Sequence, residues 1–120
     1  MSLKESFAML AIRIQKDLVN TSWNKAIIKI IRFKGSVRFE GEYFNDSEDT
    51  GKYIEVNFGF YEMKAVQNIH KITTTEHPIV ENWNRGIFIL TPDNKFEMEY
   101  SWDQELYDEV YGNNSTKPNS

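Results

Sequence analysis

The sequence has no cysteine, only six glycines and three prolines, and no long uninterrupted hydrophobic run. Without cysteine the chain has no disulfide framework, no thiolate metal site and no cysteine nucleophile. The few glycines form neither a Gly-x-Gly-x-x-Gly pattern nor a P-loop, so no phosphate-cradling loop is predicted. Charged residues interrupt the N-terminal segment, which predicts neither a signal peptide nor a membrane span. We therefore expect a soluble, cytoplasmic protein that does not associate with membranes.

Charge is unevenly distributed along the 120 residues. Residues 1–39 carry eight basic and two acidic residues (+6), and residues 40–120 carry six basic and sixteen acidic residues (−10), which gives the net charge of −4. A protein that binds duplex DNA normally has a dominant basic surface, and here the larger pole is acidic. The acidic pole favours a basic partner. Acidic residues that only solvate strand faces and helix ends would explain the same distribution.

The hydrophobic periodicity predicts an α+β fold. Helices at both ends of the chain are expected to cover an antiparallel sheet of about five strands. Residues 1–112 are predicted to form a single domain, and residues 113–120 a disordered tail. The predicted elements are a helix over 3–19 with a capping box at Ser2 and Glu5, strands over 24–33, 37–44 and 53–61, a short helix or loop over 62–82, strands over 83–90 and 95–102, and a short helix capped by Asp103.

Several local expectations accompany this assignment. Residues 71–76 are predicted to be extended or a loop, and Pro78 is expected to end any helix near His77. Thr91-Pro92-Asp93-Asn94 predicts a hairpin turn. In the last strand, the side chains expected to face the core are Phe96, Met98, Tyr100 and Trp102. In the last helix, the residues expected to form the buried side are Leu106, Tyr107, Val110 and Tyr111, with Gly112 ending the helix.

The candidates for catalysis and metal binding are weak. His70 and His77 lie seven residues apart near Glu76 and Glu81, a spacing that does not match common zinc motifs. We therefore expect both histidines at the surface or half-buried, and we expect no metal and no cofactor. Two carboxylate pairs, Glu40 with Glu42 and Glu97 with Glu99, share strand faces and would need a pocket for acid–base chemistry. Because Glu97 and Glu99 should point to solvent, we expect no catalytic residue and no enzyme activity.

The residues that best suggest a function are acidic and aromatic. Aromatic anchors surrounded by carboxylates suit an interface for a basic protein surface. A solvated helix face above core aromatics would explain the same residues. Basic residues from Lys25 to Arg38 near several aromatics could instead indicate RNA binding, but glutamates lie close by, and no nucleic-acid partner is expected. The predicted interface residues are Asp46, Glu48, Asp49, Glu97, Glu99, Trp102, Asp103, Glu105, Tyr107, Asp108 and Glu109.

An amphipathic helix leads into TSWNKAIIKI, the strand GSVRFEGEYFN follows, and WNRGIFILTPDNKFEMEYSWD comes late in the chain. This order of motifs, over about residues 7–112, resembles the YezG/EsaG-like family of small bacterial immunity proteins. The resemblance is most specific over residues 83–103. The matching residues are Trp23 in the first strand and, in the late hairpin, Trp83, Asn84, Phe96, Tyr100 and Asp103.

The resemblance implies an immunity protein, or antitoxin, of the kind paired with polymorphic and contact-dependent growth inhibition toxins. Its partner would be the C-terminal domain of a cognate toxin, often a nuclease, whose active site it would occlude. It implies no catalytic residues. Exposed strand edges lead us to expect a monomer or a weak homodimer. The alternative is a small ligand-binding or enzymatic α+β domain with a pocket between sheet and helices, which a small metabolite would stabilise.

Overall fold

The computed structural model describes residues 1–45, 50–55 and 57–112. These residues form one five-stranded antiparallel sheet and three α-helices, so the predicted α+β fold class is confirmed. No helix in these ranges is long and apolar enough to cross a membrane. The elements are α1 (Leu3–Asp17), β1 (Lys25–Arg32), β2 (Val37–Phe44), β3 (Lys52–Ile54), α2 (Phe60–Lys71) with a π-helical extension (Ile72–Glu76), β4 (Arg85–Leu90), β5 (Phe96–Ser101) and α3 (Gln104–Tyr111).

The sheet joins two separate hairpin units side by side. Its strand order is β3-β2-β1-β4-β5, and all four neighbouring pairs are antiparallel. The predicted meander of β1, β2 and β3 forms one side, and the hairpin of β4 and β5 forms the other. The central pair, β1 with β4, places Ala26 opposite Leu90 and Ile31 opposite Arg85. β3 and β5 are therefore the two edges of the sheet.

Helix α1 begins at the predicted capping box. The backbone N–H of Glu5 donates to Ser2 Oγ at 3.1 Å, and the backbone N–H of Ser2 donates to Glu5 Oε1 at 3.0 Å. These two bonds satisfy donors that a helix N-terminus otherwise leaves without partners. The helix ends at Asp17, two residues before the predicted end. Its buried apolar stripe consists of Phe7, Leu10, Ala11 and Ile14, with Leu18 just past the last turn.

The core lies between one face of the sheet and the helices α1 and α2. In β1, Ala26, Ile28 and Ile30 alternate along the strand and are buried. The ring of Phe7 from α1 stacks on Phe88 from β4, with the centroids 5.9 Å apart. Full burial of such a side chain contributes about 1.5–3 kcal/mol. Every described side chain on the other face of the sheet stays at least partly exposed.

The predicted third strand is too long. The strand was expected over residues 53–61, but β3 ends at Ile54, and α2 begins at Phe60. The alternation of aromatic residues up to Phe60 resembles a strand. The helix starts there because Gly59 is extended at its N-cap and its backbone N–H donates to Glu62 Oε1 at 2.9 Å. Within the predicted 62–82 region, the helical alternative is therefore correct.

The expectation of an extended or looped segment at residues 71–76 is also wrong. The chain there continues α2 as a π-helical turn, in which the backbone N–H of His77 donates to the carbonyl oxygen of Ile72 at 2.8 Å. The hydroxyls of Thr73 and Thr74 donate to carbonyl oxygens of the preceding turn, at 2.7 and 2.6 Å. Threonine commonly bonds back to a helix in this way. The turn stops before Pro78, as predicted.

The hairpin turn between β4 and β5 has the predicted position. The backbone N–H of Thr91 donates to the carbonyl oxygen of Lys95 at 3.0 Å. Asn94 has a φ of 65°, in the left-handed region that asparagine tolerates better than most residues.

The proposed single domain over residues 1–112 stays a prediction. The tail predicted over 113–120 lies outside the described residues.

Candidate protein-binding surface

Helix α3 is attached to the sheet through its N-cap residue, Asp103. One carboxylate oxygen of Asp103 accepts the backbone N–H of Leu106 at 3.1 Å, and the other accepts Arg85 Nε at 2.7 Å. The side chain of Asn84 bonds both the backbone N–H and the carbonyl oxygen of Asp103, at 2.7 and 2.9 Å. The hydrogen bonds to its carboxylate hold the pKa of Asp103 below its usual value. The bond from Arg85 has the largest effect, and the bond from the backbone of Leu106 has the next largest. Asp103 is therefore charged and structural.

A row of aromatic rings runs from the end of β5 along α3. The ring centroids of Trp102 and Tyr107 are 5.3 Å apart, and those of Tyr107 and Tyr111 are 4.7 Å apart. The Tyr111 hydroxyl accepts the backbone N–H of Lys34 at 2.9 Å, which anchors the helix to the segment after β1. Trp102 Nε1 donates to Gln104 Oε1 at 2.9 Å. These rings are held in place while part of each stays accessible.

This arrangement corrects two predictions of burial. Trp102 was expected to face the core, but it is half-buried and packs on Tyr107. The predicted buried side of α3 is also wrong, because no residue of the helix is buried. Leu106 and Tyr107 are half-buried, and Val110 and Tyr111 are 48% and 42% exposed. The helix packs at the end of the sheet and against the segment after β1, and no residue of α3 is buried there, so this eight-residue helix keeps much of its apolar area in water.

Carboxylates surround these rings. Glu105 and Glu109 are exposed on α3, and Asp108 accepts a hydrogen bond from Gln104 at 3.0 Å. Glu97 and Glu99 are exposed on β5, on the sheet face away from α1 and α2, as predicted. Apart from Asp103, none of the acidic side chains of β5 and α3 has an ion pair with another described residue. Their negative charge is not neutralised within the described part of the chain.

The structure brings only part of the predicted interface together. Ser101, at the end of β5, pairs with Arg85, and Arg85 binds Asp103, so β5 and α3 are contiguous. Asp46, Glu48 and Asp49 lie outside the described residues. The last residue of β2, Phe44, pairs with Lys25 at the end of the sheet opposite α3. We call the contiguous part the β5–α3 surface: Glu97, Glu99, Trp102, Asp103, Glu105, Tyr107, Asp108, Glu109 and Tyr111.

The open face of the sheet carries a group of isoleucines that was not among the predicted interface residues. Ile27 of β1 pairs with Ile89 of β4, Ile87 pairs with Lys29, and Ile31 pairs with Arg85, and the four isoleucines are half-buried. On this face Ile87 pairs with Glu99 and Ile89 with Glu97, so the group borders the β5–α3 surface. Partly exposed apolar residues beside charged ones are common at interaction surfaces. In the sequence, β1 has isoleucines at both odd-numbered and even-numbered positions, which places apolar residues on both faces of the sheet.

The residues considered for chemistry do not assemble. His70 is buried, contrary to the expectation of a surface or half-buried side chain, and its Nε2 lies 2.7 Å from Asn82 Oδ1. His77 is exposed. The described residues contain no group of three or more potential metal ligands. The glutamates of β2 and those of β5 lie on the same face of the sheet, but β1 and β4 separate them.

No protein-family model matches the chain, and no curated protein sequence matches it. The resemblance to the YezG/EsaG-like family therefore remains an expectation that the residues of this chain carry. In the fold, Trp83 is fully buried between His70 and Tyr100, with ring centroids 5.4 and 5.3 Å away. Asn84 and Asp103 bond each other at the start of α3. The matching residues of the late hairpin thus position the β5–α3 surface.

Proposed function

We propose that this protein is an immunity protein that binds the C-terminal domain of a cognate bacterial toxin through the β5–α3 surface and occludes its active site. The observation that carries the proposal is the exposure of helix α3. It has no buried residue, its tyrosine rings are partly accessible, and its glutamates have no ion pair among the described residues. Partly exposed aromatic rings are common anchors of protein interfaces. The cytoplasmic location of the protein is part of this proposal.

Electrostatics favours a basic partner. The carboxylates of α3 and β5 carry their charge into solvent, where it can attract a positively charged surface during diffusion. The substrate groove of a nuclease is such a surface because it must bind phosphates. A partner lysine or arginine would also replace water around Glu105 or Glu109 and form an ion pair. The acidic surface therefore favours a nuclease-type toxin as the partner.

The alternative function requires a pocket between sheet and helices. In this layer the side chains of Leu10, Ile14, Ile28, Val66 and Ile69 are all fully buried. Interiors packed in this way leave few voids larger than a water molecule. The arrangement gives a small-molecule site between these layers little support.

The experiment is a toxicity rescue. The C-terminal domain of a protein encoded beside this gene is expressed in a sensitive bacterium with or without this protein, and survivors are counted. The expected result is survival only with this protein, together with a complex that co-purifies. If the toxin kills equally well in its presence and the two proteins elute separately, the proposal is overturned.

A matched pair of charge reversals locates the interface. Glu109→Lys changes an exposed carboxylate of α3, and Glu55→Lys changes an exposed carboxylate that follows the opposite edge strand. We expect Glu109→Lys to weaken binding of the toxin domain about tenfold, as judged by calorimetry, because an attraction becomes a repulsion. Glu55→Lys is expected to bind like the wild type. Equal losses in the two variants would place the interface elsewhere.

A further inference from the structure

A cleft of about 190 Å³ lies at the end of the sheet where β1 meets α3. Pockets that hold drug-sized ligands have volumes of about 300–1,000 Å³, so this cleft suits a single functional group on a short stem. Two basic residues and four aromatic residues supply most of its lining: Arg32, Lys34, Phe33, Trp102, Tyr107 and Tyr111.

Arg32 is held in a fixed position at this cleft. Its Nε donates to Gln67 Oε1 at 2.7 Å, and Gln67 Nε2 in turn donates to the carbonyl oxygen of Phe33 at 3.0 Å. The backbone N–H of Arg32 donates to the carbonyl oxygen of Asn84 at 2.9 Å. Both its backbone and its side chain are therefore tied to neighbouring elements. The energetic cost of ordering this long side chain is met before any ligand arrives.

The charge of Arg32 is not neutralised within the described residues. The side chain is half-buried, and no described carboxylate lies within ion-pair distance of it. The pKa of Arg32 is lowered, mainly because the side chain is partly buried, but a guanidinium group stays protonated in proteins. A partly desolvated cation without a counter-ion is unfavourable, and an anion that enters the cleft would relieve this cost.

We propose that this cleft binds a carboxylate carried on a short apolar stem. The planar guanidinium offers parallel N–H donors that match the two oxygens of a carboxylate. The aromatic walls suit an organic stem better than a bare inorganic ion. The carboxylate has two possible sources, a free organic acid or an acidic side chain of a bound protein.

Benzoate and benzamide form the matched pair of probes, since they differ mainly in the charge of the polar group. Each is titrated into the ¹⁵N-labelled full chain at constant ionic strength, and amide and indole shifts are followed by NMR. We expect benzoate to cause saturable shifts at Phe33, Lys34 and the indole N–H of Trp102, and benzamide to bind at least about tenfold more weakly. Equal binding of both probes, or no saturable shift with benzoate, would overturn the proposal.

Variants locate the charge that is responsible. Arg32→Met is expected to weaken benzoate binding about tenfold or more, whereas Lys29→Met, which removes an exposed charge from the other face of β1, is expected to leave it unchanged. If Arg32→Met does not fold, Arg32→Lys keeps the charge without the fork and is expected to bind several-fold more weakly. Unchanged benzoate affinity in the Arg32 variant that folds would contradict the assignment.

A second probe separates the two sources of the carboxylate. N-acetyl-glutamate N-methylamide presents a glutamate side chain between two peptide bonds. Binding of this probe with the same shifts as benzoate assigns the cleft to an acidic side chain of a partner, and binding of benzoate alone assigns it to a free organic acid. Neither titration uses a toxin, so failure of this site and failure of the toxicity rescue are distinguishable.

Discussion

At the scale of single residues, His70 connects the helical layer to the hairpin that positions α3. Its ring lies against Trp83, and its Nε2 is 2.7 Å from Asn82 Oδ1, which also accepts the backbone N–H of Trp83 at 2.8 Å. Trp83 Nε1 donates to the Thr73 hydroxyl at 3.0 Å. The indole is thus held on both sides by polar groups that are themselves buried. Such fully bonded networks favour one arrangement of the core over alternatives.

Burial has a consequence for the titration of His70. Desolvation, the main cause, lowers the pKa of His70 below its ordinary value of 6.5, and the hydrogen bond with Asn82 opposes this only in part. The unfolded chain therefore takes up a proton at a higher pH than the folded chain does. The stability from a neutral His70 is fully present above pH 6.5 and is lost progressively as the pH falls below that value.

We predict that the free energy of unfolding decreases between pH 7.5 and pH 5.5 and that His70→Gln removes most of this decrease. One proton accounts for at most about 1.4 kcal/mol per pH unit. Urea denaturation at several pH values measures the slope. His77→Gln is the control, because His77 is the only other histidine and is exposed. An unchanged slope in His70→Gln would mean that another group titrates in this range.

At the scale of the elements, hydrophobic periodicity correctly predicted the helices and strands in which residues are either clearly buried or clearly exposed. α1, β1, β2 and the β4–β5 hairpin follow from the spacing of apolar residues, and the capping box of Ser2 and Glu5 fixed the start of α1. The end of β3 was not predictable in this way. Phe58 and Phe60 continue its alternation, while the decisive contact, Gly59 with Glu62, depends on local backbone geometry.

The sequence predicted which residues of β5 and α3 form the candidate surface better than it predicted how deeply those residues are buried. The sequence alone predicts Asp103 as the N-cap of α3. It does not predict that Arg85 binds Asp103, because the pairing of β4 with β5 brings these two residues together. Trp102 alternates with core residues of β5, yet the strand ends before it. Arg32 and its cleft had no signal in the sequence, since they depend on where α3 lies relative to β1.

The layer of the sheet facing α1 gives a prediction about stability. Phe88 is fully buried and packs against Phe7 and Phe96, at centroid distances of 5.9 and 5.4 Å. We expect Phe88→Ala to lower the free energy of unfolding by about 3–5 kcal/mol, because it removes buried area and leaves a cavity. Ile79→Ala is expected to change it by less than about 0.5 kcal/mol, since Ile79 is 67% exposed. Chemical denaturation of both variants measures the difference.

Helix α3 and helix α1 are expected to differ in local stability. α3 has no buried residue, whereas α1 contributes several to the core. Segments with little buried apolar area open at a lower free energy than the core does. We predict that amides of α3 exchange with deuterium faster than those of α1 in the free protein, and that binding of the toxin domain slows exchange in α3. Equal protection of both helices in the free protein would contradict this prediction.

At the scale of the whole molecule, folding mixes the charges that the sequence separates. On the open face of the sheet, Lys29 of β1 pairs with Glu40 of β2 on one side and with Ile87 on the other. One basic residue of the first third of the chain thus has an acidic cross-strand neighbour near the centre of the sheet. Apart from Asp103, the acidic side chains of β5 and α3 form no ion pair among the described residues, although Arg32 and Lys34 line the cleft beside α3.

This distribution predicts how binding should respond to salt. If the toxin domain approaches the β5–α3 surface, its association rate should fall steeply as ionic strength rises from about 0.05 M to about 0.5 M, because the Debye length shortens. Dissociation should change much less. Stopped-flow measurements with wild type and Glu109→Lys test this, and the variant is expected to show a weaker dependence. A salt-independent association rate would exclude electrostatic steering at this surface.

The order of the strands also determines how the chain must fold. Ile28 and Phe88 are direct partners in the central pair, about sixty positions apart in sequence. Each hairpin unit can form early from local contacts, but the two join only after a long loop containing α2 has closed, which is entropically costly. The inner edges of β1 and β4 are unpaired until that moment. We therefore expect the slow step of folding to be the pairing of β1 with β4, and we expect their unpaired edges to be exposed to other chains until they pair.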